Sequence, residues 1–184
     1  QDTRIHHNGQ PVAMVLAATW EQARDAADRV RVDYRTEPHR LTIDEAREEA
    51  YFPPPMFGEP NEIVRGDAEA ALAESPVRLD RSFTAPPHHH NPIEPHATTA
   101  VWDEDRLTVY ESSQAVIIHR DTLAFALGVP AANVRVIAPY LGGGYGTKGV
   151  VWAHTLLTAA AARLAGRPVK VVLPRAQMYT ATGH

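Results

Sequence analysis

The chain has 184 residues, 44% of them hydrophobic and 22% charged, with a formal net charge of −4. That size suits one or two domains with a real core, and the mild negative charge without a basic run speaks against a nucleic-acid surface. No apolar run reaches the ~18–20 residues that span a bilayer, and the absence of cysteine excludes disulfides, thiolate metal sites and iron–sulfur ligation within the chain.

The opening, "QDTRIHHNGQPVAM", is polar, shows no signal peptide and lacks an initiating Met. It reads as the middle of something longer, so a fragment or a processed piece is expected. His6 and His7 sit at this start and carry no signal. The missing cysteine does not fix the compartment, and a soluble chain of this kind suits cytoplasm or periplasm. "QPVAMVLAA" (10–18) reads as a strand. Thr19 and Gln22 form a Thr-x-x-Gln capping box that opens a helix to about Val30. "VRVDYR" (30–35) alternates as a second strand, making 10–36 a strand–helix–strand unit. Thr42 caps a short acidic helix in 42–50. "YFPPPMFGEPN" then reads as an extended connector, because proline cannot donate in a ladder and restricts its predecessor; an SH3-type ligand is the other use of such a run.

The second unit begins near Ile63. "EIV" (62–64) reads as a short strand, "GDAEAALAES" as a helix capped by Asp67, and "VRLDRSFT" (77–84) as a strand. After the loop "APPHHHNPIEPH", the segments "ATTAVWD" and "RLTVYES" flank "EDR" as a hairpin. Ser112 or Ser113 caps a helix from about Gln114 to Leu127, which Gly128 and Pro130 end. "NVRVIAP" (133–139) is a strand, a glycine-rich loop follows, and a helix covers about Val150 to Ala165. Gly166 and Pro168 stop it before a last strand, "PVKVVLP" (168–174).

The glycine loop places five glycines between Gly142 and Gly149, with Lys148 among them. Lying between a strand and a helix start, it offers unpaired N–H groups to an anion or an electron-rich group. A Walker loop needs Ser or Thr after the lysine, and Gly149 stands there. Gly144, Gly146 and Gly149 spell Gly-x-Gly-x-x-Gly, but the next strand ends in Leu173, Pro174 and Arg175 without the acid a dinucleotide requires. A third reading comes from likeness. "GGGYGTKG" is similar to the Gly-Gly-Gly-Phe-Gly-Gly-Lys segment of the xanthine dehydrogenase and aldehyde oxidase family. "NPIEPHATTAVWDEDRLTVYESSQ" (91–114) resembles that family's Glu-Pro-His strand and hairpin leading to a Gln. "LGVPAANVRVIAPYLGGGYG" and "AGRPVKVVLPRAQMY" resemble the segments that follow. "GQPVAMVLAATWEQARDAADRVRVDYRTEP" resembles the end of the family's a/b hammerhead domain.

The resemblance implies an α+β fold: the end of an a/b hammerhead domain (1–38), a Pro-rich connector (39–61) and the first part of a molybdopterin-binding domain (62–184). It implies a bound molybdopterin, possibly in a dinucleotide form. The matching cofactor residues are Gln114 and the Gly143, Gly144, Tyr145 and Gly146 stretch, with backbone amides of Tyr145 and Gly146 lining the centre. The expected geometry is two helix beginnings, near 114 and 149, converging on one anionic group. The implied activity is oxidation of an aldehyde, or a related small carbonyl or heterocycle, with water as oxygen source. Partners would be an iron–sulfur subunit and an FAD subunit. No catalytic residue lies in this chain, since the family's base glutamate belongs downstream, so the isolated chain is expected to be inactive. A non-catalytic scaffold or partner-binding module derived from the family is the alternative.

There are departures. Purine-oxidising members carry glutamate after the loop lysine, where Gly149 stands, which argues against a purine and is compatible with aldehydes. Tyr145 replaces Phe and adds a hydroxyl that needs a partner if buried. Thr147 replaces a glycine, and a positive φ there would be strained. His88, His90, Glu94 and His96 could suit zinc, against a plain Pro-flanked loop in which Glu94 and His96 make structural hydrogen bonds. Lys148 reads as a loop-ordering or partner-facing residue.

Overall fold

The computed structural model describes residues 3–55 and 58–183. Two compact units emerge, one of Gln1–Val30 with Pro87–His184 and one of Arg31–Pro86. In the first, Thr19 accepts from the Gln22 N–H and starts α1 (Trp20–Asp28), which is the N-cap half of the capping box that Thr19 and Gln22 spell. In the second, Thr42 and Glu45 close a full capping box on α2 (Ile43–Ala46), and Asp67 accepts from the Ala70 N–H at the head of α3 (Ala68–Glu74). No described residue of Arg31–Pro86 is buried; local capping, not a core, shapes its helices.

The core lies in the first unit. β1 (Ala97–Asp103) and β2 (Arg106–Glu111) form the expected hairpin, with Thr98 opposite Glu111 and Asp103 opposite Arg106. α4 (Val116–Leu127) crosses over to β3 (Val134–Ile137), which lies parallel to β2; parallel neighbours require such a crossover. Beyond the glycine loop, α5 (Ala153–Ala165) leads to β4 (Val169–Val172), antiparallel to β1, and a short α6 (Arg175–Met178) follows. The sheet order is β3-β2-β1-β4. Gly128 and Gly166 end α4 and α5 in the left-handed conformation, where glycine carries no Cβ penalty.

Ala100, Leu107, Val109, Val134 and Val169 are buried on the sheet, and Leu123, Ala159 and Ala162 from α4 and α5 join them in one cluster. Trp102 N–H donates to the Ala159 carbonyl at 2.8 Å, and the Arg163 guanidinium lies 4.8 Å from the Trp102 ring centre. At one end the buried pairs turn polar, where Thr98 faces Glu111.

Four runs expected as strands, 10–18, 30–35, 62–64 and 77–84, form none among the described residues. Only the helix of the expected 10–36 unit forms. A strand exists through hydrogen bonds to a neighbour, and among the described residues no neighbour pairs with these runs; Val12, Leu16, Val32, Val64 and Leu79 stay exposed. Among the described residues no helix is long and apolar enough to cross a membrane.

Leu123 is fully buried while Leu72 of α3 is exposed. Leu123→Ala is expected to cost about 2–5 kcal/mol in urea denaturation, and Leu72→Ala to stay within about 0.5 kcal/mol.

Candidate functional site

Strand direction gathers the site. β2 and β3 run parallel, so Glu111 and Ile137 end on one edge of the sheet. β1 is antiparallel to β2, so its first residue, Ala97, starts on that edge, opposite Val172 at the end of β4. Residues 88–96, 112–115, 138–149 and 173–182 therefore all arrive together. Ligands of open α/β sheets bind at such carboxyl ends of parallel strands.

There Gln114 and the glycine loop meet. The Gln114 N–H donates to the Lys148 carbonyl at 2.9 Å. Gln114 Oε1 accepts from the N–H groups of Gly146 (3.0 Å) and Lys148 (3.3 Å). A Cβ on Gly144 would stand 2.4 Å from Gln114 Oε1, so the glycine makes room for that side chain. Gly143 and Gly146 take φ of 92° and 98°, and Tyr145 takes 55°. Left-handed backbone thus falls on Tyr145 and not on Thr147, and the Tyr145 ring is exposed, so its hydroxyl needs no protein partner.

Two expectations are corrected. α4 starts at Val116 after an uncapped Ala115, with Ser113 Oγ accepting from the Ala115 N–H at 3.0 Å. α5 starts only at Ala153, with Val150, Val151 and Trp152 between it and Gly149. Two turns meet here, not two helix beginnings. Moreover, the Gly146 N–H donates to Gln114. Among the described residues, the N–H groups of Gly143, Gly144 and Tyr145 and the Gln114 amide nitrogen donate to nothing. These are the donors the loop leaves open.

Behind the loop lies a fully buried lysine. Lys148 Nζ donates to Glu94 Oε2 at 2.7 Å and to the Glu94 carbonyl at 3.0 Å. Glu94 Oε2 also accepts from the Gly142 N–H at 2.8 Å, and the Glu94 N–H donates back to the Gly142 carbonyl at 3.1 Å. A Cβ on Gly142 would lie 2.5 Å from Glu94 Cβ. Lys148 therefore orders the loop. Partial burial raises the Glu94 pKa, but hydrogen bonds from Lys148 and Gly142 and the Lys148 charge outweigh it and hold the carboxyl below its ordinary value.

Beneath these groups sits a buried polar layer. Glu111 accepts from Thr98 and from Thr155, the latter at 3.1 Å. His96 Nε2 lies 3.4 Å from the Thr147 carbonyl, and its ring stands edge-on to His154. Burial pushes the His96 pKa down to about 4, helped by the nearby His154 and Lys148 and opposed by the Thr147 carbonyl and Glu111. Burial also lowers His119, against Glu111 and the carbonyls of Lys148 and Val150.

The histidine-rich loop takes another course from the zinc alternative. Glu94 is committed to Lys148, and His96 turns to Thr147. Among the described residues no group of three or more His, Asp or Glu side chains is placed to hold a metal ion. Arg175 and Tyr179 instead fasten the segment: Arg175 donates to Asn91 Oδ1, to the Pro92 carbonyl and, at 2.6 Å, to the Ile93 carbonyl, while the Tyr179 hydroxyl donates to Asn91 Oδ1. Sequence reasoning missed Arg175 and the Glu94–Lys148 pairing, because nothing local marks a partner some fifty to eighty residues away.

Residues 54–184 match the molybdopterin cofactor-binding domain, and residues 1–38 match the aldehyde oxidase and xanthine dehydrogenase a/b hammerhead domain. Fold and loop thus define a molybdopterin-binding class of protein. The aldehyde oxidoreductase molybdenum-binding subunit PaoC of Escherichia coli K12 is 40% identical over 180 residues, 98% of this chain and 24% of that protein. Indole-3-acetaldehyde oxidase of Zea mays is 34% identical over 174 residues, 91% of this chain and 13% of that protein. Among solved structures, the aldehyde oxidoreductase from Desulfovibrio gigas superposes with a TM-score of 0.75 at 27% identity, over 91% of this chain and 19% of that one. The chain belongs to the aldehyde oxidase and xanthine dehydrogenase family. It spans about a quarter or less of the length of these relatives.

Gly144→Ala drives a Cβ into the Gln114 side chain and is expected to cost about 1–3 kcal/mol. In a Gln114→Ala background the colliding atoms are gone, and a denaturation double-mutant cycle should show most of that loss vanish. A second expectation concerns pH. The unfolded chain binds a proton on His96 near its ordinary 6.5, the native chain only near 4. Stability is therefore full above about pH 6.5 and falls toward pH 4, by up to about 1.4 kcal/mol per pH unit for each such histidine. Glu94, lowered in the native state, adds loss only below its ordinary 4.5. Urea titrations between pH 7 and 4.5 measure this slope.

Proposed function

We propose that this chain forms one wall of the molybdopterin cleft in an enzyme that oxidises aldehydes, or a related small carbonyl or heterocycle, with water as the oxygen source. The observation that carries the reading is the set of donors left unpaired among the described residues on a glycine-rich loop, the N–H groups of Gly143, Tyr145 and the buried Gly144 beside the Gln114 amide nitrogen. An anionic, oxygen-rich group fits such donors. When bound, the molybdenum cofactor supplies the oxygen-transfer and electron-accepting chemistry that no side chain here offers.

The residues of the chain bind and orient. Gln114 would present its amide N–H to the group while its Oε1 holds Gly146 and Lys148 in place. The loop N–H groups would act as fixed dipoles, which work without reorganising at the moment of reaction. Gly146 contributes through its left-handed backbone rather than through its own N–H. Gly149, where purine-oxidising members carry glutamate, supports an aldehyde over a purine. The relatives named as aldehyde oxidoreductase and aldehyde oxidase support the same substrate class.

The remaining parts of the proposal concern the longer protein. Its base glutamate belongs to residues downstream, and iron–sulfur and FAD subunits would carry electrons away. Residues 1–38 are assigned to the end of the hammerhead domain, 39–61 to a connector and 62–184 to the cofactor domain. The 184-residue piece by itself is expected to be inactive.

The test uses the full-length gene product. Metal analysis should find molybdenum bound, and Gln114→Ala should reduce aldehyde oxidation by about 10–100-fold, the usual range for outer-shell partners, while the protein still folds cooperatively with a lowered melting temperature, because two N–H groups lose their acceptor. Full-length protein free of molybdenum would overturn the reading, as would a Gln114→Ala variant that unfolds.

A further inference from the structure

The open donors lie on the part of the chain least able to hold a shape by itself. Glycine loses more conformational freedom on ordering than any other residue, and residues 142–149 contain five of them. Something outside the loop must fix it, and the contacts show what does.

Gly142 and Lys148 bracket the open N–H groups, and Glu94 holds both. It accepts the Gly142 N–H and the Lys148 ammonium on one carboxylate oxygen, its backbone N–H donates to the Gly142 carbonyl, and its own carbonyl accepts from the ammonium a second time. Lys148 continues the chain of contacts, since its N–H and carbonyl are tied to Gln114. Glu94, Lys148 and Gln114 thus form one connected brace under residues 143–147.

A fully buried lysine is a costly way to fill space. Taking an ammonium out of water costs several kcal/mol, and a well-packed apolar side chain often does as well or better for stability. Lysine is almost never fully buried without a partner. Here the single partner residue is also the one that grips the far end of the loop. The arrangement serves placement rather than bulk stability.

We infer that Glu94 and Lys148 are positioning residues: their ion pair, buried on the lysine side, sets the cofactor-receiving shape of residues 142–148 before any cofactor arrives. The inference rests on the cofactor reading above only for what the loop receives; the ordering itself is a property of the empty protein. Preorganised donors bind without the ordering cost that a slack loop would impose.

The test compares Lys148→Met, Glu94→Ala and Glu94→Gln in the full-length protein. Hydrogen exchange is measured without cofactor on the peptide covering residues 140–149 and on peptides from β1, β2 and α5. Molybdenum per chain is measured after cofactor loading. Lys148→Met and Glu94→Ala should speed exchange about tenfold or more in the loop peptide alone, and lower bound molybdenum. Glu94→Gln keeps an amide oxygen for the Gly142 N–H but leaves the buried ammonium without its counter-charge, so both signals should fall between those of wild type and Glu94→Ala. Unchanged loop exchange in Glu94→Ala overturns the inference, as does faster exchange spread evenly over all peptides, or a Glu94→Gln variant no better than Glu94→Ala. Should Lys148→Met fail to fold, the two Glu94 variants decide, since that side chain is partly exposed. Faster loop exchange in the variants, beside a wild-type protein that binds no molybdenum, would sink the cofactor reading and leave the brace standing.

Discussion

The parallel pairing of β2 with β3 governs the molecule. Two neighbouring strands pointing the same way must be joined by a crossover, and α4 supplies it. Once that is fixed, the turn carrying Gln114 and the glycine loop have to leave the sheet side by side. The antiparallel neighbours then deliver the start of β1 and the end of β4 to the same edge. The site is a consequence of strand direction before any side chain is considered.

Stability and the site occupy different halves of the same sheet face. Ala100, Leu107, Val109 and Val134 form an apolar middle with Leu123, Ala159 and Ala162. Toward the edge the buried layer becomes Thr98, Glu111, Thr155, His154 and His96, and above it Lys148. Several nitrogens there have no partner among the described residues, Nδ1 of His96 and of His154 included. Buried polar groups of this kind weaken a fold unless satisfied. The chain accepts that where donors must be held in place and keeps to hydrocarbon elsewhere. The family membership gives this trade a setting: cofactor proteins need rigid donors more than they need a maximal core.

Much of this was written locally in the sequence. Alternation marked the β1–β2 hairpin, Thr42 and Asp67 marked helix starts, and Gly128 and Gly166 marked helix ends. The meeting of Gln114 with the loop followed from motif likeness and strand order. What failed needed a partner. The run at 10–18 has strand composition, yet composition does not provide a neighbour to pair with. The start of α5 slipped to Ala153 because the glycines and the Tyr145 left-handed turn extend the loop beyond its motif. A structural hydrogen bond at Glu94 was one of the two readings open beside zinc, and only distance in space shows that its partner is Lys148. Arg175 lay at the end of a strand with nothing to announce its three acceptors.

That last grip has a consequence in time. Arg175 fastens Asn91 across a sequence separation of 84 residues, and contacts so remote in the chain are slow to form because the intervening loop must first close. During synthesis the hairpin can assemble as soon as it leaves the ribosome. The edge that carries the site has to wait, half-built, until the far side of β4 has emerged to latch it.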